Sequence, residues 1–150
     1  MAIGEICSRE VVICTRPTSV EAAAELMRRH HVGALVVVDE QSDGRRIPVG
    51  IVTDRDIAVG VVAKGLSPDG IDVGEVMLPE LVVGRESDGV SETLARMRAH
   101  GVRRLPIVDA QGILIGIVTA DDLLDLLAEE MTALTHLISQ EQRHELATRR

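Results

Sequence analysis

The chain has 150 residues, 45% of them hydrophobic, with no Phe, Tyr or Trp and a formal net charge of −8 at pH 7. That is enough apolar material for one compact domain or two small modules sharing a core. The acidic balance and the missing aromatic platforms exclude a general nucleic-acid role, since single strands are held by stacking in a basic groove and a negative surface repels phosphate.

The start Met1-Ala2-Ile3-Gly4-Glu5-Ile6 has no basic stretch followed by an apolar core, so no secretory leader is expected. No apolar run is long enough to span a membrane. Cys7 and Cys14 make neither a disulfide framework nor a zinc site, and a reducing cytoplasm is the expected compartment. In chain order, the first predicted element is a short apolar turn over 3–7. A short strand follows at about 11–15. Val20, Ala23, Ala24 and Met27 then fall at i, i+3, i+4 and i+7, which predicts an amphipathic helix, with Thr18 and Glu21 spelling a capping box at its start. Two strands come next, about 34–38 and 48–53. Both are apolar on both faces, and so are expected to be buried on both sides. A second helix covers about 54–64.

The turn-rich stretch Gly65-Leu66-Ser67-Pro68-Asp69-Gly70 separates this unit from a second copy of it. At an offset of 70, residues 3–39 lie on 73–109 with twelve of 37 positions identical, where chance gives roughly two or three. At an offset of 66, Val49-Gly50-Ile51-Val52-Thr53 lies on Ile115-Gly116-Ile117-Val118-Thr119. The second copy thus predicts a turn at 73–77, strands at about 81–84, 104–108 and 113–118, and helices on Val90, Leu94 and Met97 and over about 120–130. The order is β-α-β-β-α, twice, an α/β (α+β) chain whose like halves pack with pseudo-twofold symmetry. The expected division is 1–64, a linker at 65–72, 73–128, and a C-terminal helical extension at 129–150. Leu123, Leu127, Met131, Leu134 and Ile138 carry the last helix on to about residue 147. Such a stripe either packs back on the body or meets a partner helix; its spacing favours the partner helix, so a homodimer is expected.

The chemistry gathers at Gly50-Ile51-Val52-Thr53-Asp54-Arg55-Asp56 and at Gly116-Ile117-Val118-Thr119-Ala120-Asp121-Asp122. Each runs off a strand into a helix N-terminus, where free N–H groups and the positive helix end favour an anion. A Thr hydroxyl can join those donors, and an Asp three residues on can accept hydrogen bonds from vicinal hydroxyls. Thr53 with Asp56, and Thr119 with Asp122, therefore suit the ribose and phosphate of a nucleotide. Thr-x-x-Asp is also a capping box, useful with no ligand at all. No Ser/His/Asp spelling, phosphate-binding Gly-rich loop or nucleophile–base pair is present, so no catalytic residue is expected. His30 and His100 sit at helix ends, and His136 and His144 on a solvated tail face; no metal site is expected.

A twofold repeat with Gly-h-x-Thr-x-x-Asp closing the last strand of each copy resembles the CBS-domain pair, or Bateman module. His100-Gly101-Val102-Arg103-Arg104-Leu105-Pro106-Ile107-Val108-Asp109 is a typical spelling of that family's central strand, and the first copy, His31-Val32-Gly33-Ala34-Leu35, lacks its arginines and proline. The resemblance covers about residues 3–128. It implies a regulatory, non-catalytic module binding adenosine compounds (AMP, ADP, ATP, or S-adenosylmethionine) in the clefts between repeats, the Asp on the ribose and the Thr near ribose or phosphate. It also implies that Arg103 and Arg104 serve the Asp56 cleft, while Gly33 and Ala34 offer the Asp122 cleft no cation. Thr15 would stand near the Asp122 cleft and Arg85 near the Asp56 cleft. The expected partners are an adenosine nucleotide, a second copy and a regulated protein of unknown identity. The alternative is an interaction scaffold with empty clefts.

Overall fold

The structure is a computed structural model and describes residues 1–149. They fall into two compact units, Met1–Val118 and a helical unit from Thr119 onward.

Each repeat opens with one helical turn, α1 (Ile3–Ile6) and α4 (Val73–Val76), whose Ile3 and Val73 are fully buried. Each turn is held by the other repeat. Ile3 N–H donates to Asp88 O (2.8 Å) and Gly4 N–H to Glu86 O (3.0 Å), while Val73 N–H donates to Thr18 O (2.8 Å) and Gly74 N–H to Arg16 O (3.0 Å). Adding 70 to one residue of a bond and subtracting it from the other converts the first pair into the second. The repeats thus clasp each other by exchanging their opening turns, which satisfies backbone groups that a lone repeat would leave open.

In the first repeat β1 (Ile13–Cys14) pairs parallel with β2 (Ala34–Glu40), which pairs antiparallel with β3 (Arg46–Thr53). Val37 faces Gly50 and Val38 faces Pro48, so Val49 is left over as a bulge. The second repeat builds the same sheet from β4 (Gly84–Arg85), β5 (Arg104–Val108) and β6 (Leu114–Thr119). Leu35–Val38 and Leu105–Val108 are buried without interruption, as their unbroken apolar runs require. β3 and β6 differ from expectation. Their burial alternates, with Gly50 and Val52, or Gly116 and Val118, inside and Ile51 or Ile117 half-buried, so one face of each lies open despite its apolar residues.

The helices α2 (Val20–His30) and α5 (Val90–His100) have the same length and buried methionines, Met27 and Met97. The cap of α2 is Ser19, which accepts from Ala22 N–H, rather than Thr18. The Thr18 hydroxyl instead accepts from Thr15 N–H and closes the turn before the helix. Ala24 and Leu94, equivalent across the repeats, face outward, and the second repeat buries Thr93 in place of Leu94. Thr93 can be buried because its hydroxyl donates to Gly89 O one turn back.

The helix after β3 is α3 (Asp54–Ile57), and it widens into a π turn over Ala58–Val62. A short 3-10 turn, Pro68–Gly70, lies between the repeats. The helical unit is α6 (Ala120–Thr148), close to the end expected from its apolar spacing. No described helix is long and apolar enough to cross a membrane.

Candidate functional site

The strand-to-helix motif forms the capping box its spelling allows. Thr53 N–H donates to Asp56 Oδ2 (2.9 Å), and Asp56 N–H donates to Thr53 Oγ1 (3.1 Å). The helical unit repeats the device with Thr119 and Asp122, at 2.8 and 3.1 Å. These bonds leave chemistry over. A carboxylate accepts at two oxygens, and the Thr53 amide engages Oδ2 of Asp56. The Thr53 hydroxyl uses a lone pair on the Asp56 amide and keeps its proton to donate. One box therefore caps the helix and still presents an acceptor and a donor.

Asp56 and Thr53 stand on the wall of a hollow of about 370 Å³ within the first unit, lined also by Ile51, Arg55, Leu78, Glu80, Leu81, Val82, Val102, Arg103 and Arg104. That volume lies in the usual range for small-molecule sites, roughly 300–1,000 Å³. Repeat 1 supplies the motif through the open face of β3 and the start of α3. Repeat 2 supplies the stretch before β4 and the entry to β5, brought there by the clasp of opening turns. The apolar floor is aliphatic throughout, as a chain without aromatic residues requires.

Four residues expected to act together, Thr53, Asp56, Arg103 and Arg104, thus share one hollow. Arg85 does not line it; it is exposed on β4, with its N–H given to Asp88 Oδ2. Thr15 is tied to Thr18, hydroxyl to hydroxyl at 3.2 Å. Thr119 and Asp122 lie in the helical unit. Two charged wall residues were not anticipated, Arg55 and Glu80. Arg55 was legible, since it lies inside the motif between Thr53 and Asp56. Glu80 was not, because only folding brings the loop before β4 to the motif of the other repeat.

A second hollow, of about 520 Å³, lies in the first repeat and is lined by Glu10, Val11, Val12, Ile13, Leu26, His30 and Val32. At the offset of 70, Glu10, Val11, Val12 and Val32 correspond to Glu80, Leu81, Val82 and Val102. No arginine lines it. In the second repeat Leu26 is replaced by Arg96, whose guanidinium donates to Val83 O (2.9 Å) and Asp88 Oδ2 (2.8 Å). The two halves are therefore alike in backbone and unlike in charge.

Both cysteines are buried and free. Burial pushes the Cys14 thiol up to about 11 and raises that of Cys7 as well, so both are held as neutral thiols at neutral pH. Among the described residues no three His, Cys, Asp or Glu side chains gather around a common point.

A family model described as the CBS domain matches residues 3–62 and 73–129. The chain is 36% identical over 126 residues to an uncharacterised protein of Methanopyrus kandleri, covering 84% of this chain and only 62% of that protein's length. Among solved structures it is similar to a putative signal-transduction protein with CBS domains from Burkholderia ambifaria, with a TM-score of 0.73 and 32% identity over 85% of this chain and 93% of that one. It is also similar to the CBS domain pair of protein MJ0100 in complex with 5′-methylthioadenosine and S-adenosyl-L-methionine, with a TM-score of 0.73 and 25% identity over 87% and 98% of the two chains.

Proposed function

Because the chain belongs to the CBS-domain family, in two tandem copies that form a regulatory module, we propose that it binds an adenosine compound in the Asp56 hollow and relays occupancy to a protein partner. One observation carries the reading: the carboxylate–hydroxyl pair of repeat 1 and the two arginines of repeat 2 line the same hollow. Asp56 Oδ1 accepts from the ribose hydroxyls, the Thr53 hydroxyl donates to ribose or phosphate, and Arg103 and Arg104 meet the phosphate. The adenine lies against Ile51, Val82 and Val102. AMP and ATP fit this set by charge. S-adenosylmethionine and methylthioadenosine, the ligands of the MJ0100 pair, share the adenosine half and would use Asp56 without the arginines. In the helical unit, Thr119 and Asp122 serve a second site that favours ligands without phosphate. Arg85 adds long-range attraction outside the hollow.

The module works as a homodimeric sensor in the cytoplasm and is not an enzyme. Ligand binding shifts its arrangement only as far as the ligand's affinities for the two arrangements differ. Calorimetry with AMP, ATP and S-adenosylmethionine tests the reading. Binding should weaken by about tenfold or more in Asp56→Ala, the loss of one hydrogen bond to a charged group. Absence of heat with all three at millimolar concentration removes the nucleotide reading. A second reading is favoured by one observation, the closed capping boxes. On it, the motifs only start helices and the chain is a dimer scaffold. Asp56→Ala would then lower the melting temperature while nucleotides leave the wild-type melt unmoved.

A further inference from the structure

The exposed residues of α6 do not follow the stripe the sequence suggests. Leu123 is 3% exposed, whereas its neighbour Leu124 is 63% exposed, with Leu127 at 49%, Met131 at 70%, Leu134 at 58% and Ile138 at 50%. The open stripe is therefore Leu124, Leu127, Met131, Leu134 and Ile138, in a 3-4-3-4 spacing. That is the a/d seam of a coiled coil, in which each side chain enters a gap on a facing helix. Within the seam's span, Leu124 to Ile138, one flank consists of Ala128 and Thr135 and carries no charge, which lets a second helix approach closely.

The charge of α6 sets the direction of that helix. Residues 120–134 hold Asp121, Asp122, Asp125, Glu129 and Glu130 and no Lys or Arg, while residues 135–149 hold Glu141 and Glu145 against Arg143 and Arg149. Parallel copies would lay five acids on five acids. They would also extend the seam into Glu141 against Glu141 and Glu145 against Glu145. Antiparallel copies lay the acidic half on the balanced half, bring those carboxylates to the positive N-terminal end of the facing helix, and oppose the two dipoles.

We propose that α6 pairs with α6 of a second copy as an antiparallel coiled coil, centred between Thr132 and Ala133, so that Leu127 meets Ile138 and Met131 meets Leu134 across the pair. This rests on the homodimer reading above and adds its surface and direction.

The test uses the full chain. Leu127→Cys and Ile138→Cys chains carrying different tags are co-expressed, purified through both tags and oxidised mildly; the wild type, with Cys7 and Cys14 buried, is the control. The mixed dimer should crosslink, at least tenfold more than either variant expressed alone, because like positions then lie about 16 Å apart along the axis. Met131→Glu, an exposed site, should sediment as a monomer with unchanged circular dichroism. Self-crosslinking of either variant alone overturns the direction. A dimer with no crosslink in any combination, or with Met131→Glu still dimeric, overturns the surface while leaving a homodimer. A monomeric wild type overturns both.

Discussion

Met77 of the second repeat rests on Gly50 of the first: a Cβ built on Gly50 would stand 2.6 Å from the Met77 sulfur. The pseudo-twofold repeats the arrangement at Gly116, where such a Cβ would stand 2.6 Å from Cys7 Sγ and 2.7 Å from Ser8 O. The difference lies in what must move. Met77 is unbranched and can swing aside, whereas Ser8 O accepts from Ile117 N–H at 2.9 Å and is fixed. Gly50→Ala should cost about 1 kcal/mol and Gly116→Ala about 2–3 kcal/mol, within the range for overpacking. Urea midpoints of the two variants check the order.

Asp88 and Arg96 bond at 2.8 Å with side-chain exposures of 9% and 30%. Asp88→Ala removes the close charge partner of the guanidinium, leaving its bond to Val83 O, and should cost about 2–3 kcal/mol, below the 3–5 kcal/mol of a fully buried pair. The first repeat holds Thr18 and Leu26 at these positions. Asp88→Thr with Arg96→Leu should therefore recover at least half of the loss, read as a positive coupling in a double-mutant cycle by denaturant melts.

His31 ends α2 at φ 54°, where the second repeat has Gly101 at φ 63°. A side chain in this left-handed region costs on the order of 1 kcal/mol. His31→Gly should stabilise the chain by roughly that amount. Calorimetry should show a rise in melting temperature of about 2–4 °C.

Arg104 reaches toward Gly33, with Nη2 3.5 Å from where a Cβ on that glycine would stand. Arg104→Ala copies the residue of the first repeat and removes a cation from the Asp56 hollow. AMP should bind about tenfold more weakly, as expected for one charge-assisted contact, and adenosine within twofold of wild type. Equal loss for both ligands in calorimetry would place Arg104 away from the phosphate.

Cys14 gives the chain an alkaline limit. Burial raises its folded pKa from 9.0 to about 11. Above about pH 9 the unfolded chain therefore releases a proton that the folded chain retains, and stability falls as pH rises toward about 11. Melting temperature should drop more steeply between pH 9 and pH 11 in the wild type than in Cys14→Ala, whose cavity lowers it by a nearly pH-independent amount.

The duplication made the element order readable, because each ambiguous stretch is written twice and the copies constrain one another. Apolar runs such as Leu35–Val38 were readable as doubly buried strands. The N-cap of α2 was misassigned because Thr18 and Ser19 both spell a cap. Only the Thr15–Thr18 turn leaves Ser19 to serve the helix. Leu94 and Leu123 were misplaced because period alone gives the width of an apolar face to within one residue, and packing decides which edge of it is covered.

Local chemistry along the chain determined two β-α-β-β-α units, their strand-to-helix motifs and the unequal charge of the halves, since propensity, capping and duplication act between near neighbours. Which residues meet was decided by the exchange of opening turns. Hydrogen bonds from Ile3 to Asp88 and from Val73 to Thr18 join positions far apart in sequence, and no periodicity encodes them. They carry Glu80 and Arg104 to the wall that holds Asp56. The hollow is therefore a property of the clasp, while the residues that equip it were already written in each repeat.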